Sequence, residues 1–137
     1  MLKPHFTFPK THSTFWLDAS LAAEAIHAIT AALAGLLPDQ ADAIEERRDA
    51  YLIRLEILDA ELLASLGGLI DKQRVLVTLH DAYGYFAQRY GLEIVGFVVE
   101  GPEEDPSAED IAALVDEIRR RGITRIYAEP QFTARVL

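Results

Sequence analysis

The sequence contains no cysteine. That absence removes thiolate metal sites, disulfides and cysteine nucleophiles together, and leaves histidine, aspartate and glutamate as the strong ligands for any metal. Basic residues are also few. Lys plus Arg number 13 against 22 Asp plus Glu, a formal net charge of -9, so the surface repels phosphate backbones and no nucleic-acid partner is expected. A nucleophile elbow, a Walker loop and a Gly-rich dinucleotide turn are missing as well. The start, "MLKPHFTFPKTHSTFW", has no continuous apolar stretch of the kind a secretory signal needs. The alanine-rich stretch from Ala19 to Leu37 carries Glu24 and His27, which would be costly at bilayer depth. It reads as a helix of a soluble domain, and no membrane span is expected.

What is present fits one globular domain: 137 residues, half of them hydrophobic, enough to bury a core. Asp18 is placed to cap a helix whose apolar stripe is Ala22, Ala25, Ile26, Ile29, Leu33 and Leu36, and Pro38 ends it. A second helix is expected from about Asp39 to Leu66, with Ile44, Tyr51, Leu55, Leu58 and Leu62 on one side and Leu52, Ile53 and Leu63 widening the apolar surface. Gly67-Gly68 stand where a left-handed C-terminal cap belongs. From Arg74 the period changes. "VLVTLH", "EIVGFVV" and "TRIYAE" are short apolar runs without clean alternation, as strands buried on both faces should be.

Between the second and third runs, Ser107 and Asp110 resemble a capping box. Ile111, Leu114, Val115 and Ile118 make a buried stripe, three arginines end the helix and Gly122 follows. Strand and helix alternating over short connections predict an α/β fold: a long helix beside a small parallel sheet of three strands, flanked by helices. No repeat or low-complexity segment interrupts it.

Ligands of open α/β sheets bind beyond the carboxyl ends of the strands. Those ends here carry His80-Asp81, Glu100 and Glu129. A neutral imidazole at a strand end suits zinc or manganese when a carboxylate holds its other ring nitrogen, and Asp81 or Glu129 could do so. Taken alone, the pair is better read as a histidine that ends a strand and an aspartate that caps the next helix. His27 reads as solvated beside Glu24, and Tyr83, Tyr85, Phe86 and Tyr90 as core and rim.

"LHDAYGYFAQRYGLE", then "EEDPSAEDIAALVDEIRRRGI", then "IYAEPQF" closely resemble the C-terminal lobe of the periplasmic zinc and manganese binding proteins of ABC transporters, the ZnuA and TroA type. "FWLDAS" and the long helix after it resemble the region leading into that lobe. The resemblance implies a protein that captures a zinc or manganese ion between two lobes joined by a rigid helix, and passes it to a membrane permease in the periplasm. It divides the chain into 1–37, a remnant of the first lobe; 38–68, the interlobe helix; and 69–137, an incomplete α/β lobe. On it His80 is a metal ligand. The family's ligand histidine two residues before the tryptophan is replaced here by Thr14, and His12, two residues earlier, is the substitute. Asp81 and Glu129 stand behind the ligands, and the family's remaining two ligands have no counterpart.

A site this incomplete is expected to draw on water or a second copy of the chain, so homo-oligomerisation is a further expectation. Two other readings stay open. One is a metal-dependent hydrolase using His80-Asp81, for which the histidines are too few. The other is a remnant or assembly module that keeps the fold without the metal.

Overall fold

A computed structural model describes residues 14–99 and 107–128 of the chain. A short turn of 3-10 helix, Phe15–Leu17, leads into helix α1, Ala19–Leu36. Asp18 caps α1 as its sequence position predicts, its carboxylate accepting from Ser20 N at 2.8 Å and Leu21 N at 3.4 Å. A 3-10 turn at Pro38–Gln40 reverses the chain, and helix α2, Ala41–Gly67, runs back along α1. At about 1.5 Å per residue α2 is roughly 40 Å long. By length and composition alone α1 could cross a membrane; in this fold it lies against α2.

The faces these helices use differ from the sequence expectation. On α2 the partly buried positions are Ala41, Ile44, Arg48, Leu52, Leu55, Asp59, Leu62 and Leu66, whereas Tyr51 and Leu58 are exposed. The stripe is turned by about one residue because α1 and the following lobe meet α2 on that side. On α1, Ile29, Leu33 and Leu36 are exposed, Leu36 at 77%, so the predicted buried stripe is only partly covered by the described residues. Gly68 also departs from expectation. Its φ of -77° is right-handed, and the left-handed caps lie at Gly91 and Gly122 instead, with φ of 68° and 63°.

After α2 come strand β1, Val75–His80, helix α3, Gly84–Tyr90, strand β2, Glu93–Val99, and helix α4, Ala108–Arg121. β1 and β2 pair in parallel, from Val75 with Glu93 to His80 with Val99, with one irregularity between Leu76 and Val77. Among the described residues the third predicted strand is represented by a single parallel bridge from Thr78 to Tyr127, in which Tyr127 N donates to Val77 O at 2.9 Å. β1 is therefore central, and it carries the deepest residues: Val77, fully enclosed at 0% exposure, with Thr78 and Leu79. A parallel strand flanked on both sides needs apolar side chains on both faces, which explains its lack of alternation.

α4 forms as its sequence signals require. Ser107 Oγ accepts from Asp110 N at 3.1 Å, and Gly122 closes the other end. Arg120 and Arg121 hydrogen-bond Glu117 and hold its carboxyl down at about 2. Arg121 also reaches Glu93 at the head of β2, at 2.7 Å, and so ties α4 to the sheet. At the other end of the lobe Arg74 donates to three backbone carbonyls: Gly67 at 2.8 Å, Leu69 at 3.0 Å and Gly91 at 3.3 Å. A guanidinium there meets the negative end of the α2 dipole and fastens it to β1 and to the end of α3.

Candidate metal centre

His80 is the last residue of β1 and lies at the carboxyl edge of the sheet, paired with Val99. Its backbone is pinned. The His80 carbonyl accepts from Ala82 N and from Thr78 Oγ1, both at 3.0 Å, and Thr78 is itself buried. The imidazole is half-buried with Nδ1 closed off from solvent, and its ring stands edge-on to Tyr83 at a centroid distance of 6.5 Å. From Tyr83 an aromatic row follows α3, to Phe86 at 6.4 Å and on to Tyr90 at 4.8 Å. Residues spaced three and four apart share a helix face, so this row lies on one side of α3.

Asp81 follows His80 in the turn and is half-buried. It does not cap the next helix: α3 begins at Gly84 after Tyr83. Thr14 lies at the same edge, its hydroxyl donating to the Ala82 carbonyl, so the start of the described chain and the His80 turn are in direct contact across 68 residues of sequence. His12 and Glu129, the other two sequence candidates, and Glu100 lie outside the described residues. His27 is exposed on α1, beside an open groove between α1 and α2 that Leu52, Leu55, Glu56 and Asp59 also line. Among the described residues no group of three or more His, Asp or Glu side chains is gathered closely enough to hold a metal ion. Zinc usually takes four ligands, and among the described residues the carboxyl edge of the sheet offers one imidazole, that of His80, with Asp81 next to it.

Sequence reasoning missed a polar cluster behind this edge. Asp59, midway along α2, accepts from Arg89 Nε at 3.1 Å, from Arg89 Nη2, and from the Tyr90 hydroxyl at 3.0 Å. Arg89 Nε also lies 3.8 Å from Asp18 Oδ1. The Arg89 guanidinium, seconded by the Tyr90 hydroxyl, holds the Asp59 carboxyl below its usual range. Burial, seconded by the Asp59 charge, pushes the Tyr90 phenol up. The signal that could have found the cluster is Asp59 itself. It stands between Leu55 and Leu62 on the packed face of α2, and a carboxylate on such a face requires a donor.

The comparisons with known proteins identify the family and the fold. Residues 9–137 match the family model described as "Zinc-uptake complex component A periplasmic". The chain is 34% identical over 114 residues to the zinc-binding protein TroA of Treponema pallidum, covering 83% of the chain and 37% of the relative. It is 30% identical over 114 residues to the manganese-binding lipoprotein MntA of Bacillus subtilis, with the same coverage of 83% and 37%. The solved structure of the periplasmic zinc binding protein TroA from Treponema pallidum superposes with a TM-score of 0.85 at 30% identity, over 95% of this chain and 48% of that one. The chain thus spans a little over a third of the length of these curated relatives.

Proposed function

The chain belongs to the zinc-uptake component A family, and from that membership we propose that it is a metal-capturing, solute-binding component of an ABC-type uptake system, with zinc or manganese as its cargo. Relatives carrying those two metals in their names support both ions. The observation that carries the reading is His80: a half-buried imidazole on a pinned backbone at the carboxyl end of the central parallel strand, in the "HDAYGYF" sequence. His80 is the principal ligand, His12 contributes a second, and Asp81 and Glu129 orient them. A permease that accepts the ion is the partner, and the periplasm is the compartment. Residues 38–68 act as the interlobe helix, between 1–37 and 69–137 in the chain.

The protein works by binding and release and is not an enzyme. A hydrolase would need a nucleophile or a metal-bound water held by several histidines, and the family is one of solute-binding proteins. A second copy of the chain is a further partner, favoured by the exposed Ile29, Leu33 and Leu36 on α1 and Ile53 and Ile57 on α2.

Titration calorimetry with zinc and with manganese tests the reading, on the native chain, His80→Ala and His12→Ala. Native binding with a large loss in His80→Ala and a smaller one in His12→Ala is expected. Equal zinc affinity in the native chain and His80→Ala would place the site elsewhere. No binding by the native chain would leave a fold without metal function.

A further inference from the structure

The Asp59 cluster stands away from the sheet edge, yet two separate lines of contact lead from it to His80. The first runs along α3: Tyr90, whose hydroxyl donates to Asp59 at 3.0 Å, packs at a tilt against Phe86, Phe86 meets Tyr83, and Tyr83 meets the His80 ring. The second runs through the start of α1. Arg89, clamped by Asp59, lies 3.8 Å from Asp18. Asp18 caps α1 immediately after the 3-10 turn that begins next to Thr14, and Thr14 donates to Ala82 in the His80 turn. Asp59 is the α2 residue that holds both lines. Its side chain is 18% exposed and the Arg89 side chain 32%, so water screens the contact only in part.

The geometry points to Asp59 as a positioning residue for the metal ligand. By holding Arg89 and Tyr90 it fixes α3 on α2, and through the aromatic row it sets where the His80 imidazole stands. This inference rests on His80 being a metal ligand. A fold-stabilising salt bridge could sit anywhere on α2. This one is met by two consecutive residues of the short helix that follows the His80 turn, one of them the buried end of the aromatic row. Imidazole ligands bind well only when their orientation is held by what surrounds them, and outer contacts of that kind typically alter metal affinity by about 10- to 100-fold.

The experiment uses the full chain, with zinc alone as the probe, in four forms: native, Asp59→Asn, Tyr90→Phe and Glu61→Gln. Glu61 is an exposed carboxylate on the same helix, so Glu61→Gln reproduces the charge change of Asp59→Asn without touching the cluster. Zinc affinity is expected to fall about tenfold in Asp59→Asn and severalfold in the charge-neutral Tyr90→Phe, and to stay within about twofold of native in Glu61→Gln. Amide hydrogen exchange without metal supplies the second readout. Residues 81–83 should exchange faster in Asp59→Asn while the Val77 and Leu79 amides keep their native rates.

Zinc affinity within twofold of native in both cluster variants would overturn the inference. So would exchange that rises uniformly through β1, which marks Asp59 as a general stabiliser. If the native chain binds no zinc, the proposed function fails and the exchange experiment alone decides whether Asp59 positions the turn. If neither cluster variant folds, Asp59→Glu replaces them. It keeps the charge but displaces the carboxylate, and a fold of native stability with tenfold weaker zinc binding and faster exchange at 81–83 supports positioning, whereas native values in both overturn it.

Discussion

Asp59 and Arg89, 30 residues apart in sequence, form a two-pronged ion pair between the middle of α2 and the end of α3. Arg89, and after it Tyr90, hold the Asp59 carboxyl below its usual range. A depressed folded-state value means that the stabilisation is fully present above the unfolded value, about 3.9, and is lost as pH falls through the folded one. At neutral pH Asp59→Asn should cost about 1–3 kcal/mol, between an exposed pair and a buried one. In urea unfolding the gap between native and variant should be constant above about pH 5 and close toward pH 2. A gap that persists undiminished at pH 2 would show that the charge of Asp59 is not what stabilises.

Metal binding should weaken in acid. An imidazole nitrogen that carries a proton cannot ligate, so with His80 as the proposed ligand protons and metal compete for the site. Replacing His80 by Ala should lower zinc affinity by at least about tenfold, and the part of the pH dependence due to its imidazole should vanish with it. Calorimetry at two pH values reads both effects. An unchanged pH profile in His80→Ala would assign the competition to another group.

Thr14→His should raise zinc affinity. Thr14 touches the His80 turn through its bond to Ala82, and the family resemblance puts a ligand histidine at this position. The lost hydroxyl contact should cost about 1 kcal/mol of stability. Zinc binding no tighter than native would mean that a side chain at position 14 does not face the metal.

Gly96 lies against α4. A Cβ there would come within 2.6 Å of Leu114 Cδ1, so Gly96→Ala should destabilise the chain by about 1–2 kcal/mol as Leu114 is forced to turn. The strain should be relieved when Leu114→Ala is added. A double-mutant cycle by thermal unfolding checks the coupling, and simple additivity would show that α4 stands further from β2.

Self-association is expected through the uncovered sides of α1 and α2. Sedimentation equilibrium at tens of micromolar, roughly the range of weak dimer constants, should read a mass above that of the monomer. Leu33→Glu combined with Ile57→Glu should return it to the monomer. A native monomer under those conditions would remove the second copy from the list of partners.

The elements whose signals are local were legible in the sequence. α4 carries its own cap, stripe, basic end and glycine, and α1 its aspartate cap, and each forms at those residues. α2 begins and ends within two residues of expectation. What depends on distant partners was not legible. Which side of α2 is covered is decided by α1 and α3, and Gly68 stays right-handed as the helix closes with Leu69 N donating to Leu66 O at 3.1 Å. At the site, the family motif pointed to His80 and to the departure at Thr14, and the structure places both residues at the carboxyl edge of the sheet. Local pattern could not show that Thr14 touches Ala82, or that Arg89 and Tyr90 turn back to Asp59, because no short-range periodicity records a contact between residues so far apart.

Arg74 gives the end of α2 a mechanical character. With Gly67, Leu69 and Gly91 all held by one rigid, planar cation, the junction between the long helix and the sheet is a welded joint with no free axle. A tilt of α2 would have to stretch those bonds or carry the head of β1 and the end of α3 along with it.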